Sequence, residues 1–122
     1  MISGSPKVMD ASAIVGLFRG NEALNGFLES AGQGHINLLL PTTAIADAES
    51  RLVAGAKAWD AIFMSPGVQP LELTAYAAIE IGPWPGALSI RHAAHEANAS
   101  GAAVLTCNPA AYAGLRVSLI VV

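Results

Sequence analysis

Asp10 is the first residue in this chain whose type and place suggest chemistry. It follows the short apolar stretch Val8-Met9 and precedes an Ala-rich helical stretch, Ala11-Ser12-Ala13-Ile14-Val15. In open α/β proteins, ligands gather at the carboxyl ends of parallel strands, and an acid placed there is well sited to hold a metal. The same acid is also a favoured helix cap, so Asp10 alone supports both readings. His92 and His95 lie three residues apart on one helix face. They fit a metal pair or a general base, or a solvated or partner-facing surface, and no third ligand has convincing spacing. The single cysteine, Cys107, could act as a nucleophile with either histidine, but no orienting group is evident. Trp84, between two prolines, could stack on a base or pack its loop against the core or a dimer partner. Arg51 and Arg91 are isolated cations that read as phosphate contacts or plain surface residues.

These residues must be positioned by a pattern that alternates strand and helix. Lys7 to Asp10 reads as the first strand and Ala11 to about Phe18 as a helix. Asn21 caps a second helix, Glu22 to Ser30, closed by Gly32 and Gly34. Ile36 to Leu40 is a buried strand, and Pro41 with Thr42 and Thr43 starts a helix from about Ala44 to Ala54. Gly55 breaks the pattern before a short helix, Lys57 to Met64. Val68 to Leu73 is a third strand, placed at an edge because Pro70 cannot donate to a ladder. Thr74 caps the helix Ala75 to Ile81. After the break at Gly82-Pro83-Trp84-Pro85-Gly86 a long helix runs to about Ser100. Ala103 to Thr106 is a fourth strand, Pro109 opens a helical turn through Tyr112, and Val117 to Val122 is the last strand. Such alternation predicts a mostly parallel sheet covered on both faces.

Composition narrows the functional classes. The chain has 122 residues, which suits one domain spanning 1–122. Its hydrophobic content is 53% and its charged content 12%, against about 25% charged in ordinary domains. A core in so short a chain cannot absorb that surplus, so apolar surface is expected to face a homodimer mate or another protein. No apolar run approaches the roughly 18 residues that suggest a membrane span. The start, Met1-Ile2-Ser3-Gly4-Ser5-Pro6, shows neither a basic region nor an apolar signal core, which points to the cytoplasm. One cysteine rules out an internal disulfide and fits a reducing compartment. Net charge is −3, and the six cations are scattered, so the electrostatic footprint of nucleic-acid binding is faint.

With the strands placed, the chain resembles a PIN domain of the VapC-type toxin family. Val8-Met9-Asp10-Ala11-Ser12-Ala13 is similar to that family's first-strand signature, apolar-Asp-x-Ser. Leu40-Pro41 followed by Ala44-Ile45-Ala46-Asp47 is similar to its second acidic motif. His92-Ala93-Ala94-His95-Glu96-Ala97, then Gly101 through Pro109, is similar to its C-terminal helix, strand and fourth-acid motif. The resemblance implies a five-stranded sheet with helices on both faces and Mg²⁺- or Mn²⁺-dependent hydrolysis of RNA. It also implies an antitoxin-like protein partner.

The departures limit what the resemblance carries. Asp10 matches the first acid. Asp47 matches the second, one methylene shorter than the usual Glu, with Glu49 nearby as a substitute. The third acid's position holds Ile90, and the fourth holds Asn108. Two carboxylates of four remain. Asp10, Asp47, the Asn108 amide and the Ser12 hydroxyl would make a thin, low-affinity cation site at best. The expectation is therefore a PIN-like fold with nuclease activity weak or lost, using Asp10, Asp47 and Asn108. The alternative is a non-catalytic PIN-like module for dimerisation or protein binding. Both require folding to carry Asp10 and Asp47 into one hollow.

Overall fold

The computed structural model describes residues 6–122, so the reading of Met1 to Ser5 as lacking a signal lies outside the described residues. Twelve elements alternate in the expected way. They are β1 (Lys7–Met9), α1 (Ala11–Phe18), α2 (Glu22–Gly32), β2 (Leu38–Pro41), α3 (Thr42–Leu52), α4 (Ala56–Phe63), β3 (Val68–Leu71), α5 (Ala75–Ile81), α6 (Leu88–Ser100), β4 (Ala103–Thr106), a 3₁₀ turn (Pro109–Tyr112) and β5 (Leu119–Val121). The strands form one sheet in the order β3-β2-β1-β4-β5, and every pairing is parallel. This is the α/β class expected from the sequence, with the sheet wholly rather than mostly parallel.

The sheet is short-stranded, and its three central strands β1, β2 and β4 are buried on both faces, as crossover helices require, while the edge strands β3 and β5 are partly exposed. Alternation along β1 sends Met9 to one face and Val8 to the other. Met9 joins Ile14, Leu24, Leu38, Leu40 and Leu105 in a core roofed by α1, α2 and α3 and closed by Trp59 of α4. Val8 joins Leu39 and Val104 beneath α6, whose Ala93, Ala94 and Ala97 allow the helix to lie close, with Tyr112 beside them. The edge position of β3 follows the sequence reading, with Pro70 opposite Leu40.

Several boundaries shift for local reasons. β1 ends at Met9 rather than Asp10, because Asp10 turns back as the N-cap of α1. β2 spans Leu38–Pro41 rather than Ile36 to Leu40, and α3 starts at once on Thr42, since the fixed φ of Pro41 suits the transition. α3 stops at Leu52 rather than Ala54, because Val53 adopts the left-handed conformation at φ 47°. α2 runs to Gly32, past Ser30, and α4 sits one residue earlier than Lys57 to Met64. β3 stops at Leu71 and β5 covers Leu119–Val121, each shorter than the apolar run containing it. At the turn before β3, a Cβ on Gly67 would lie 2.6 Å from both the Ala31 and Ile36 carbonyl oxygens, so only glycine fits. Among the described residues no helix is long and apolar enough to cross a membrane.

Candidate functional site

The strand order reverses its direction of growth between β1 and β4, and at that point the carboxyl ends of an open parallel sheet leave a crevice. Asp10 follows β1 and Asn108 lies just beyond β4. Asp47 comes from the middle of α3, and α6 begins opposite. Together Asp10, Ser12, Asp47, Arg51, Ser89 and Asn108 line one hollow of about 260 Å³. The convergence required of Asp10 and Asp47 is therefore present, and Asn108 and Ser12 share the hollow as expected.

The two acids differ sharply in environment. Asp10 is 1% exposed. Its Oδ1 accepts the Ala13 backbone N–H at 2.9 Å and the Ser12 hydroxyl at 2.7 Å. Its Oδ2 accepts the Tyr112 hydroxyl at 2.8 Å. Asp47 is exposed, and its side chain makes no hydrogen bond or ion pair among the described residues.

The bonds around Asp10 form a closed network. Because the Ser12 proton goes to Asp10, Thr106 must be the donor in the 3.3 Å contact between their hydroxyls. Ser12 Oγ also accepts the Cys107 N–H at 2.9 Å, and Thr106 Oγ1 accepts the Asn108 N–H at 2.9 Å. The segment after β4 is thus tied to the start of α1 by Ser12, Thr106 and Tyr112. Burial, with the Asp10 charge and hydrogen bond added, pushes the Tyr112 phenol far above its ordinary range, so it stays a donor.

This geometry is a poor fit to a divalent cation. A carboxylate offers roughly four acceptor sites, and three on Asp10 are used by protein donors. A cation at Oδ2 would have to compete with the Tyr112 proton. Among the described residues no group of three or more His, Cys, Asp or Glu side chains could hold a metal. Glu49 does not substitute for Asp47. Its Oε1 accepts from Ala54 N and Trp59 Nε1, and its Oε2 from Gly55 N, so it clamps the turn after α3. Those donors, Trp59 first, hold its carboxyl below the usual range.

The remaining candidates fall outside the hollow or into structural roles. A solvated or partner-facing place for His92 is overturned, since the ring is fully buried. Its Nδ1 lies 2.7 Å from Thr43 Oγ1 and its Nε2 3.0 Å from Glu96 Oε2. An ionised Glu96 only accepts, so Nε2 carries the proton and Nδ1 accepts from Thr43. Burial holds His92 below the ordinary histidine value; the hydrogen bond and charge of Glu96 oppose this in part, and His95 adds to it. Glu96 is accordingly a partner of that buried ring rather than a free surface acid. His95 pairs chiefly with Glu80, Nε2 to Oε2 at 2.6 Å, and its Nδ1 lies 4.0 Å from the Glu96 Oε2 that His92 engages, so the two rings share a carboxylate neighbour. Cys107 is exposed as a residue, yet partial desolvation of its thiol, followed by the Asp10 charge, pushes that thiol up, against nucleophilic use. Arg91 donates to the carbonyls of Ile81 and Gly82, closing the end of α5 instead of reaching for phosphate. Trp84 is half-buried against the Val8–Val104 core, holding its loop down.

Tyr112, Thr106 and Ser89 carry no signal in the sequence reading. Tyr112 sits in a turn 102 residues from Asp10, and only the β1–β4 pairing brings them together.

The fold and hollow define an all-parallel α/β protein with an acid-bearing crevice at the switch point. No protein-family model matches the chain, and no curated protein matches it. Twelve solved chains do match. One, the crystal structure of PAE2754 from Pyrobaculum aerophilum, is 18% identical with a TM-score of 0.51, over 94% of this chain and 83% of that one. Likeness at that identity shows a shared fold and nothing further.

Proposed function

We propose that this chain is a PIN-like domain whose nuclease chemistry has been lost and whose fold serves as a binding module. The observation that carries this reading is the occupation of both Asp10 carboxylate oxygens by Ser12, Ala13 and Tyr112. An acid engaged in this way works as a helix cap and a tie to the segment after β4. Ile90 and Asn108 stand where the resemblance calls for the third and fourth acids. Divalent metal chemistry needs oxygen ligands free to enter the coordination sphere, and only Asp47 offers a wholly free carboxylate here. In this reading a cytoplasmic homodimer or an antitoxin-like partner covers apolar surface such as Tyr76 and Ile79. These lie three residues apart on α5, at 86% and 71% exposure.

A second reading, a slow Mg²⁺- or Mn²⁺-dependent ribonuclease, is favoured by the convergence of Asp10, Asp47, Asn108 and Ser12 on one hollow. Incubating purified protein with a broad RNA set plus Mn²⁺ or Mg²⁺ separates the two. The binding-module reading expects no cleavage above background. Cleavage that disappears in Asp10→Ala, with the fold retained, would establish the ribonuclease instead.

A further inference from the structure

The hollow beside Asp10 carries charges of both signs that do not meet. Asp47 and Arg51 stand four residues apart on α3, an order in which opposite charges usually pair along a helix. Both line the hollow, yet no ion pair joins them among the described residues. Opposite them is the start of α6, a 13-residue helix capped by Ala87, which has no side chain able to accept its first N–H groups. The first turn of α6, Ala87 to Ile90, forms part of the wall. Ser89 in that turn is 5% exposed as a residue, and its hydroxyl, which keeps access to solvent, has no hydrogen-bond partner among the described residues. An unpartnered, solvent-accessible hydroxyl on a largely buried residue, beside uncapped N–H groups and an exposed guanidinium without an ion pair, makes a place for a carboxylate. The Asp47 carboxylate makes a place for a cation.

We propose that this hollow binds a small zwitterion, its carboxylate held by Arg51, the Ser89 hydroxyl and the first turn of α6, its ammonium held by Asp47. The volume of about 260 Å³ is several times the roughly 30 Å³ share of one water and suits a molecule of amino-acid size. A dianion such as phosphate matches less well, because Asp10 and Asp47 both line the cavity against a single guanidinium. The proposal rests on the reading that no divalent cation takes these acids. It identifies what the binding module receives at this site.

Calorimetric titration in chelator tests it, with glycine, β-alanine and 4-aminobutyrate as probes that vary the charge separation. N-acetylglycine and glycinamide, each lacking one charge, serve as controls. At least one free zwitterion is expected to bind, with blocking of either charge weakening binding about tenfold or more. Arg51→Gln and Ser89→Ala should weaken it similarly while leaving the melting temperature near that of the parent. Absence of binding by all three probes at millimolar concentration, or equal binding of the blocked analogues, overturns the proposal. A parallel Mn²⁺ titration keeps the two levels apart. Mn²⁺ binding abolished by Asp10→Ala overturns the reading beneath the proposal, whereas absence of both Mn²⁺ and zwitterion binding overturns the proposal alone.

Discussion

The Tyr112 hydroxyl donates to Asp10 Oδ2 at 2.8 Å across 102 residues of sequence. The 3₁₀ turn after β4 is thereby fastened to the head of α1, and the acid at the switch point becomes a structural acceptor. Hydrogen bonds to charged groups contribute roughly 1.5–3 kcal/mol. Tyr112→Phe should therefore lower stability by about 2 kcal/mol, read as a shifted denaturation midpoint at unchanged slope. A shift close to zero would mean that the phenol does not engage Asp10 in solution.

Glu49 should matter to folding and not to the hollow. Its folded-state pKa lies below the ordinary value, so its contribution is present above the usual carboxylate range and fades as pH falls through it. Glu49→Gln should melt lower than the parent at neutral pH, and the two curves should converge on acidification. Trp59 fluorescence should report the loosened turn, since Trp59 Nε1 donates to Glu49 at 2.9 Å. A difference that stays constant down to strongly acid pH would contradict this role.

His92 gives a second pH effect with its own window. Its folded-state pKa is depressed below the ordinary value, so the unfolded chain binds the proton more readily. Stability contributed by the neutral ring is complete above the ordinary histidine pKa of 6.5 and is lost as pH falls below it. The melting temperature should drop between neutral and mildly acid pH, and His92→Gln should flatten that slope. A slope equal to the parent's would show that the His92 ring does not carry the effect.

Val53 holds a left-handed φ of 47° while 79% exposed. That conformation costs an ordinary L-residue roughly 1–2 kcal/mol, and asparagine tolerates it better. Val53→Asn should raise stability by about 1 kcal/mol, measured by denaturant unfolding. A loss of stability would show that the Val53 side chain contributes contacts outweighing its backbone strain.

The sequence periodicity revealed most of the architecture because each parallel strand must be followed by a covering helix, and the Gly and Pro breaks mark the joints. Edge placement of β3 followed from Pro70 alone. Boundaries were less legible where a side chain or a strained residue decided them, as Asp10 ended β1 and Val53 ended α3. The meeting of Asp10, Asp47 and Asn108 was readable from motif order. What those groups do there was not, because the partners that decide it, Tyr112 and Thr106, reach Asp10 and Ser12 only through the pairing of β1 with β4. His92 was misjudged for a similar reason: helical spacing gives its face, but its burial depends on Thr43 of α3 packing against that face.

Titration of Mn²⁺ into the wild-type protein and Tyr112→Phe, followed by the electron paramagnetic resonance of free Mn²⁺, tests the central claim most directly. An Asp10 already committed to protein donors predicts no metal uptake by the wild type, with any gain confined to the variant that frees Oδ2. Stoichiometric uptake by the wild type, lost in Asp10→Ala, would contradict the account.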